Sequence, residues 1–151
     1  MDMPILKPIS IPTKNRSIIS RVFVWIFSIR KWEVVDDWQY VLRDGTEIMI
    51  PKGFVFDGAS IPRFLWALLS PVGLLFIPGL IHDYGYKYDK LLFKDQNGSI
   101  ADYKSGAGKA YWDKLFRQVG RDVNGMAFID IMAWIALAIG GWIPWLKHRK
   151  S

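Results

Sequence analysis

The sequence predicts an α+β domain: a small antiparallel hairpin or sheet, followed by three or four helices. Three observations carry this. "WEVVDDWQYVL" and "TEIMIPKGFVF" are rich in β-branched and aromatic residues and flank "RDG", where Asp44-Gly45 is a turn signal because both residues tolerate positive φ. The period then changes in "DGASIPRFLWALLS". There Ser60 suits an N-cap and Pro62 a first helical turn, where its missing donor costs nothing, and Phe64, Leu65, Leu68 and Leu69 share one face. In "KAYWDKLFRQVG", Trp112, Leu115, Phe116 and Val119 recur at offsets of three, four and seven, one side of a helix that Gly120 would close.

The other elements follow in chain order. Residues 1–15 read as an extended arm, because Pro4, Pro8 and Pro12 forbid a helix; such an arm can lie along a partner subunit. Residues 16–146 are expected to form one domain, and 147–151 a basic tail. "SIISRVFVWIFSIRKW", flanked by Arg16, Arg21, Arg30 and Lys31, suits a buried strand, with a short interfacial helix as the alternative. Pro51 is expected at a sheet edge or bulge. "SPVGLLFIPG" breaks the first helix and leads into a second that carries "IHDYGY". A polar loop, "FKDQNGSIADYKSGAG", is expected before the third helix.

The last segment is apolar with a basic end. Its uncharged run from Ile131 to Leu146 is 16 residues, short of the ~20 needed to cross a bilayer. Gly140, Gly141 and Pro144 predict an early helix end. A buried or partner-covered helix is the expectation, although Trp134, Trp142 and Trp145 ahead of "KHRK" would also suit an anionic membrane interface.

Composition narrows the function classes. The chain has 151 residues, 51% of them hydrophobic, enough for one folded core and too apolar for disorder. The net charge of +6 suits a negative neighbour such as lipid head groups, nucleic acid or an acidic protein face. Lys and Arg are scattered rather than striped beside aromatics, so no specific nucleic-acid site is expected. The absence of cysteine excludes disulfides, Cys-ligated zinc and thiol nucleophiles. There is no phosphate loop and no G-x-S-x-G elbow. The start, "MDMPILKPISIPTKNRS", lacks the features of a cleavable signal peptide, so export would need another route such as lysis or packaging in a particle.

Four positions could work together: Asp57, the adjacent His82 and Asp83, and Asp113. His82 and Tyr86 lie one helical turn apart and share a face. Asp83 would point about 100° away and serve a different partner. An antiparallel third helix would bring Asp113 to His82, fixing the imidazole tautomer and raising its basicity. Asp83 and Asp57 could then offer oxygen ligands to a hard cation such as calcium. Such a site would let a histidine base activate water while the cation polarises a carbonyl. The plain alternative is a polar cross-brace between helices, with Asp57 bonding the turn at Ser60.

Two resemblances sharpen the expectation. "IPKGFVFDGASIPRFLW", "IHDYGY" and "WDKLF" followed by Gly120 together resemble the phage and prophage family catalogued as domain of unknown function 1353, from about Trp32 to Gly140. That resemblance implies a virion-associated protein of the tail or neck, contacting other virion proteins or further copies through its arm and apolar C-terminus. Its location would be the virion, or the host cytoplasm before assembly. More distantly, "HDYGY" is similar to the H-D-x-x-Y helix of secreted phospholipase A-two and the related parvovirus capsid domain, and "WDKLF" to their A-D-x-x-F element. This second resemblance implies a calcium-dependent hydrolase of the host envelope with His82 as base, Asp83 as calcium ligand, Asp113 as orienter and Tyr86 as support. In place of the glycine-rich calcium loop of those enzymes stands "PVGLLFIPG", with Phe76 where aspartate is usual. A membrane-associated accessory protein without catalysis is the remaining expectation.

Overall fold

The computed structural model describes residues 3–10, 17, 31–56, 75–95 and 97–149. Asp57 and the first predicted helix, with Ser60 and Pro62, lie outside the described residues, as does most of "SIISRVFVWIFSIRKW". What is described is α+β, with antiparallel sheets whose strands come mostly early in the chain and helices mostly after them.

The strands form two sheets. β1 (Leu6–Ile9), β2 (Lys31–Val34) and β5 (Val55–Phe56) make one, in the order β1-β2-β5. β3 (Trp38–Val41), β4 (Glu47–Ile50), β6 (Leu91–Lys94) and β7 (Ile100–Tyr103) make the other, in the order β3-β4-β6-β7. The segment with the spaced prolines is extended at Leu6–Ile9 and pairs with β2 of its own chain, Leu6 opposite Val34 and Ile9 opposite Lys31. Asp44-Gly45 turns β3 into β4 as expected. Gly45 takes φ +85°, and the Asp44 carboxylate accepts the Thr46 N–H at 2.9 Å, a local bond that closes the turn.

Each of the two β-patterned runs is divided between the sheets. The chain changes sheet between β2 and β3 and again between β4 and β5. Asp37 from the first crossing accepts the Lys52 N–H from the second at 2.8 Å. Pro51 stands at that second crossing, where no ladder donor is required.

Two sequence expectations need correcting. The supposed polar loop holds the hairpin β6–β7, with Leu91 opposite Tyr103 and Lys94 opposite Ile100. The alternation in these four-residue strands is weak, and their pairing is set by β4, which receives Phe93 opposite Ile48. The turn signal itself was present: Asp95 accepts the N–H groups of Asn97 and Ser99, both at 2.8 Å. Gly120, in turn, does not close the third predicted helix. It sits within α2 (Lys109–Asn124), whose end is Gly125 at φ +63°. A Cβ at Gly120 would lie 2.5 Å from an Asp130 carboxylate oxygen, so glycine is there for helix approach.

α1 (Phe76–Tyr88) begins with Pro78 in its first turn and ends at Asp89 in the left-handed region, φ 52°. α3 (Ala127–Gly140) and α4 (Trp142–Arg149) follow α2. α3 stops at Gly140, as its glycines predicted. Lys147, His148 and Arg149 form the last turn of α4. Val34, Ile48, Ile50, Leu80, Ile81, Leu91 and Trp112 are fully buried where sheets, α1 and α2 meet. Leu75, Phe116 and Ala133 form a second cluster, against which Ile129 and Leu137 of α3 pack. Asp130 is also fully buried. Burial holds its carboxyl above the usual carboxylate range, against the opposing pull of Asn124, Arg121 and Arg117.

Candidate functional site

α1 and α2 lie antiparallel, and their partners appear in reverse order. His82 meets Phe116 and Asp113, Gly85 meets Trp112, and Asp89 meets Gly108. Glycine at position 85 allows this closeness. A Cβ there would stand 2.6 Å from the Trp112 ring. The Trp112 indole N–H donates to Asp89 at 2.7 Å, and the same carboxylate oxygen accepts the Gly108 N–H at 2.9 Å. An anion thus caps the start of α2, where the helix dipole favours it.

On this scaffold Asp113 accepts three donors. Its Oδ1 takes His82 Nε2 at 3.0 Å and the Tyr86 hydroxyl at 2.5 Å. Its Oδ2 takes Lys109 Nζ at 2.6 Å. A carboxylate can only accept, so His82 carries a hydrogen on Nε2. Asp113 is held below the usual carboxylate range: desolvation would raise it, but hydrogen bonds from His82, Lys109 and Tyr86 prevail. The Tyr86 phenol is pushed up by burial and by the hydrogen bond to Asp113. Its ring centre lies 3.9 Å from that of the imidazole, with the planes tilted by 38°, and Phe116 meets the imidazole edge-on at 5.5 Å.

The Asp83 carboxylate also approaches His82. Its Oδ1 stands 3.8 Å from His82 Nδ1. With Nε2 anchored at Asp113, the other ring nitrogen faces the side where the neighbouring carboxylate reaches it. Desolvation would lower the His82 pKa, but the carboxylates of Asp113 and Asp83 outweigh it and raise it. His82 and Asp113 are each 4% exposed and Lys109 7%.

Lys109 was not singled out in the sequence, although "KAYWD" sets it four residues before Asp113 on the same helical face. As the first residue of α2 it would oppose the helix dipole. It escapes this by reaching across to the carbonyls of Leu137 and Ala138, at 3.1 and 3.4 Å, where the end of α3 favours a cation. Its ammonium also lies 5.2 Å from the centre of the Trp142 ring. Gly141 completes the closure: a Cβ there would sit 2.6 Å from the Tyr86 hydroxyl. Arg149 in α4 donates to the Tyr86 carbonyl at 2.7 Å.

The structure therefore joins His82, Tyr86, Asp83 and Asp113, adds Lys109, and leaves Asp57 outside the described residues. Among the described residues, no group of three or more acidic or histidine side chains could hold a metal ion. Chemically the cluster can do two things. It can tie α1, α2, α3 and α4 together, or it can present an imidazole whose Nε2 is oriented by a carboxylate, the requirement for a general base.

Residues 32–137 match the family described as "Protein of unknown function (DUF1353)", and the chain belongs to that family. No curated protein and no solved structure matches it.

Proposed function

We propose that the chain is a bacteriophage virion-associated assembly protein, a tail or neck component, that acts by contact. His82, Tyr86, Lys109 and Asp113 serve as its internal brace. One observation carries this reading: the charges of the network are consumed by one another while the molecule keeps an apolar face in water. Asp113 satisfies three donors, and none of the network residues exceeds 7% exposure. Meanwhile Phe128 on α3 is 72% exposed. A group that acts on substrate must reach it, whereas a brace need not. Contact would run through the N-terminal arm, to other virion proteins or further copies, and through the apolar C-terminal segment, to those or to an anionic membrane. The phage setting rests on the motif resemblance.

A second reading, a calcium-dependent phospholipase-like hydrolase of the host envelope, is favoured by Asp113 Oδ1 accepting from both His82 and Tyr86. His82 Nδ1 would take a proton from water as the water oxygen attacks an ester carbonyl and then pass it to the alcohol oxygen as the ester C–O bond breaks, releasing fatty acid, and Asp83 with Asp57 would hold the calcium. Fatty-acid release from anionic phospholipid vesicles, with calcium and with chelator, separates the two. The brace reading expects no release by wild type or His82→Ala. Calcium-dependent release that His82→Ala abolishes would make His82 a base and displace the assembly reading.

A further inference from the structure

The α3–α4 surface has no known occupant, and its chemistry is specific enough to name one. Phe128, Met132 and Ile135 follow one another at helical spacing and are 72%, 49% and 40% exposed. They form one stripe opposite Asp130 and Ala133, which face the core. On α4, Trp142 and Leu146 are one turn apart and 55% and 50% exposed. A helix that is apolar on both its inner and outer sides is expected to be covered by something.

We propose that this surface docks on an anionic phospholipid bilayer, lying in its interface without crossing it. The proposal rests on the contact reading above and names the partner of this one face. Among the described residues no helix is long and apolar enough to span a membrane. The 14 residues of α3, at about 1.5 Å each, fall well short of a hydrocarbon core of about 30 Å.

Three arguments choose lipid over protein. First, the outer stripe of α3 contains no strong hydrogen-bonding group. Asp130 is fully buried on the opposite side, and Trp134 is engaged by the Arg117 guanidinium, 5.3 Å from its ring. Protein interfaces set their register with roughly one hydrogen bond per 100–200 Å², whereas acyl chains require none. Second, the stripe leads to Trp142 and then to the exposed last turn of α4, where Lys147 and Arg149 are basic and the Arg149 guanidinium also holds the Tyr86 carbonyl. Apolar residues followed by tryptophan and then by cations matches the order of depth from acyl chain to anionic head group. Third, the net charge of +6 repels a second copy and attracts an anionic surface.

The test is co-sedimentation of the full chain with phosphatidylglycerol-containing vesicles and with pure phosphatidylcholine vesicles, at low and high salt. It is run for wild type and for the Phe128→Ser/Met132→Ser variant, with sedimentation velocity on each protein alone. Both residues are exposed, so the variant should unfold at the wild-type midpoint, and that midpoint is measured. The expected result is a monomer that pellets with the anionic vesicles, more weakly at high salt, and at least about tenfold more weakly in the variant. Failure of folded wild type to pellet would overturn the proposal, as would pelleting that the double substitution leaves unchanged. A dimer that the substitution dissolves would also overturn it, giving the face to a second copy while leaving the contact reading standing.

Discussion

At the scale of single residues, His82 decides most of the electrostatics. It lies between Asp113, hydrogen-bonded at 3.0 Å, and Asp83, whose nearer oxygen is 3.8 Å away. Its folded pKa is raised above the ordinary histidine value despite burial. The sign of the linkage follows. The unfolded group titrates near about 6.5, so its stabilising contribution is complete below that pH and is lost as pH rises through the higher folded value. The difference in urea unfolding free energy between wild type and His82→Gln should therefore be largest below about pH 6.5 and shrink as pH rises through the folded value. A difference that grows with pH would mean that His82 is neutral throughout. The presence of His82, Asp83, Tyr86 and Asp113 as a set was legible, because helical spacing places them. The 3.8 Å approach of Asp83 was not, since a tautomer and ring orientation depend on what anchors the other nitrogen.

At the scale of elements, the α1–α2 contact depends on Gly85. Alanine there would gain up to about 1 kcal/mol of helix propensity, but its Cβ would stand 2.6 Å from the Trp112 ring. Trp112 is fully buried and tied to Asp89 through its indole, so the ring cannot move cheaply. Overpacking of this kind costs about 1–3 kcal/mol, and the clash should win. Gly85→Ala is expected to unfold at lower urea, with an unchanged m-value; a stabilised variant would show that α1 and α2 can separate without loss. The amphipathic spacing that predicted α2 was readable. Its true end was not, because Gly120 resembles a terminator in one dimension and is a contact point for Asp130 in three. For the same reason β6 was missed, since its evidence lies in β4, more than forty positions away, and β7 depends on β6 in turn.

At the scale of the whole molecule, the C-terminal helix belongs to the fold. Trp145 is 9% exposed, edge-on to Tyr86 at 5.3 Å and covered by the Arg149 guanidinium at 4.3 Å. Removing residues 142–151 would uncover Tyr86 and the Lys109 ammonium beside it. Losing a buried tryptophan alone costs about 3–5 kcal/mol, a large part of the 5–15 kcal/mol that holds a typical domain together. The truncated chain is expected to show a clearly lower unfolding midpoint than full-length protein in thermal denaturation. An unchanged midpoint would make α4 an appendage.

Composition, turn chemistry and periodicity by themselves determined the α+β class, the Asp44-Gly45 hairpin, the helix carrying His82, the amphipathic face of α2 and the early stop of α3. These depend on a residue and its near neighbours. The tertiary structure alone decided that the β-patterned runs divide between two sheets, that Lys109 joins Asp113 to the end of α3, and that Gly85, Gly120 and Gly141 serve close packing. It also decided which side of α3 faces outward from the core. Each of those outcomes is fixed by a partner distant along the chain, and no local pattern carries that information.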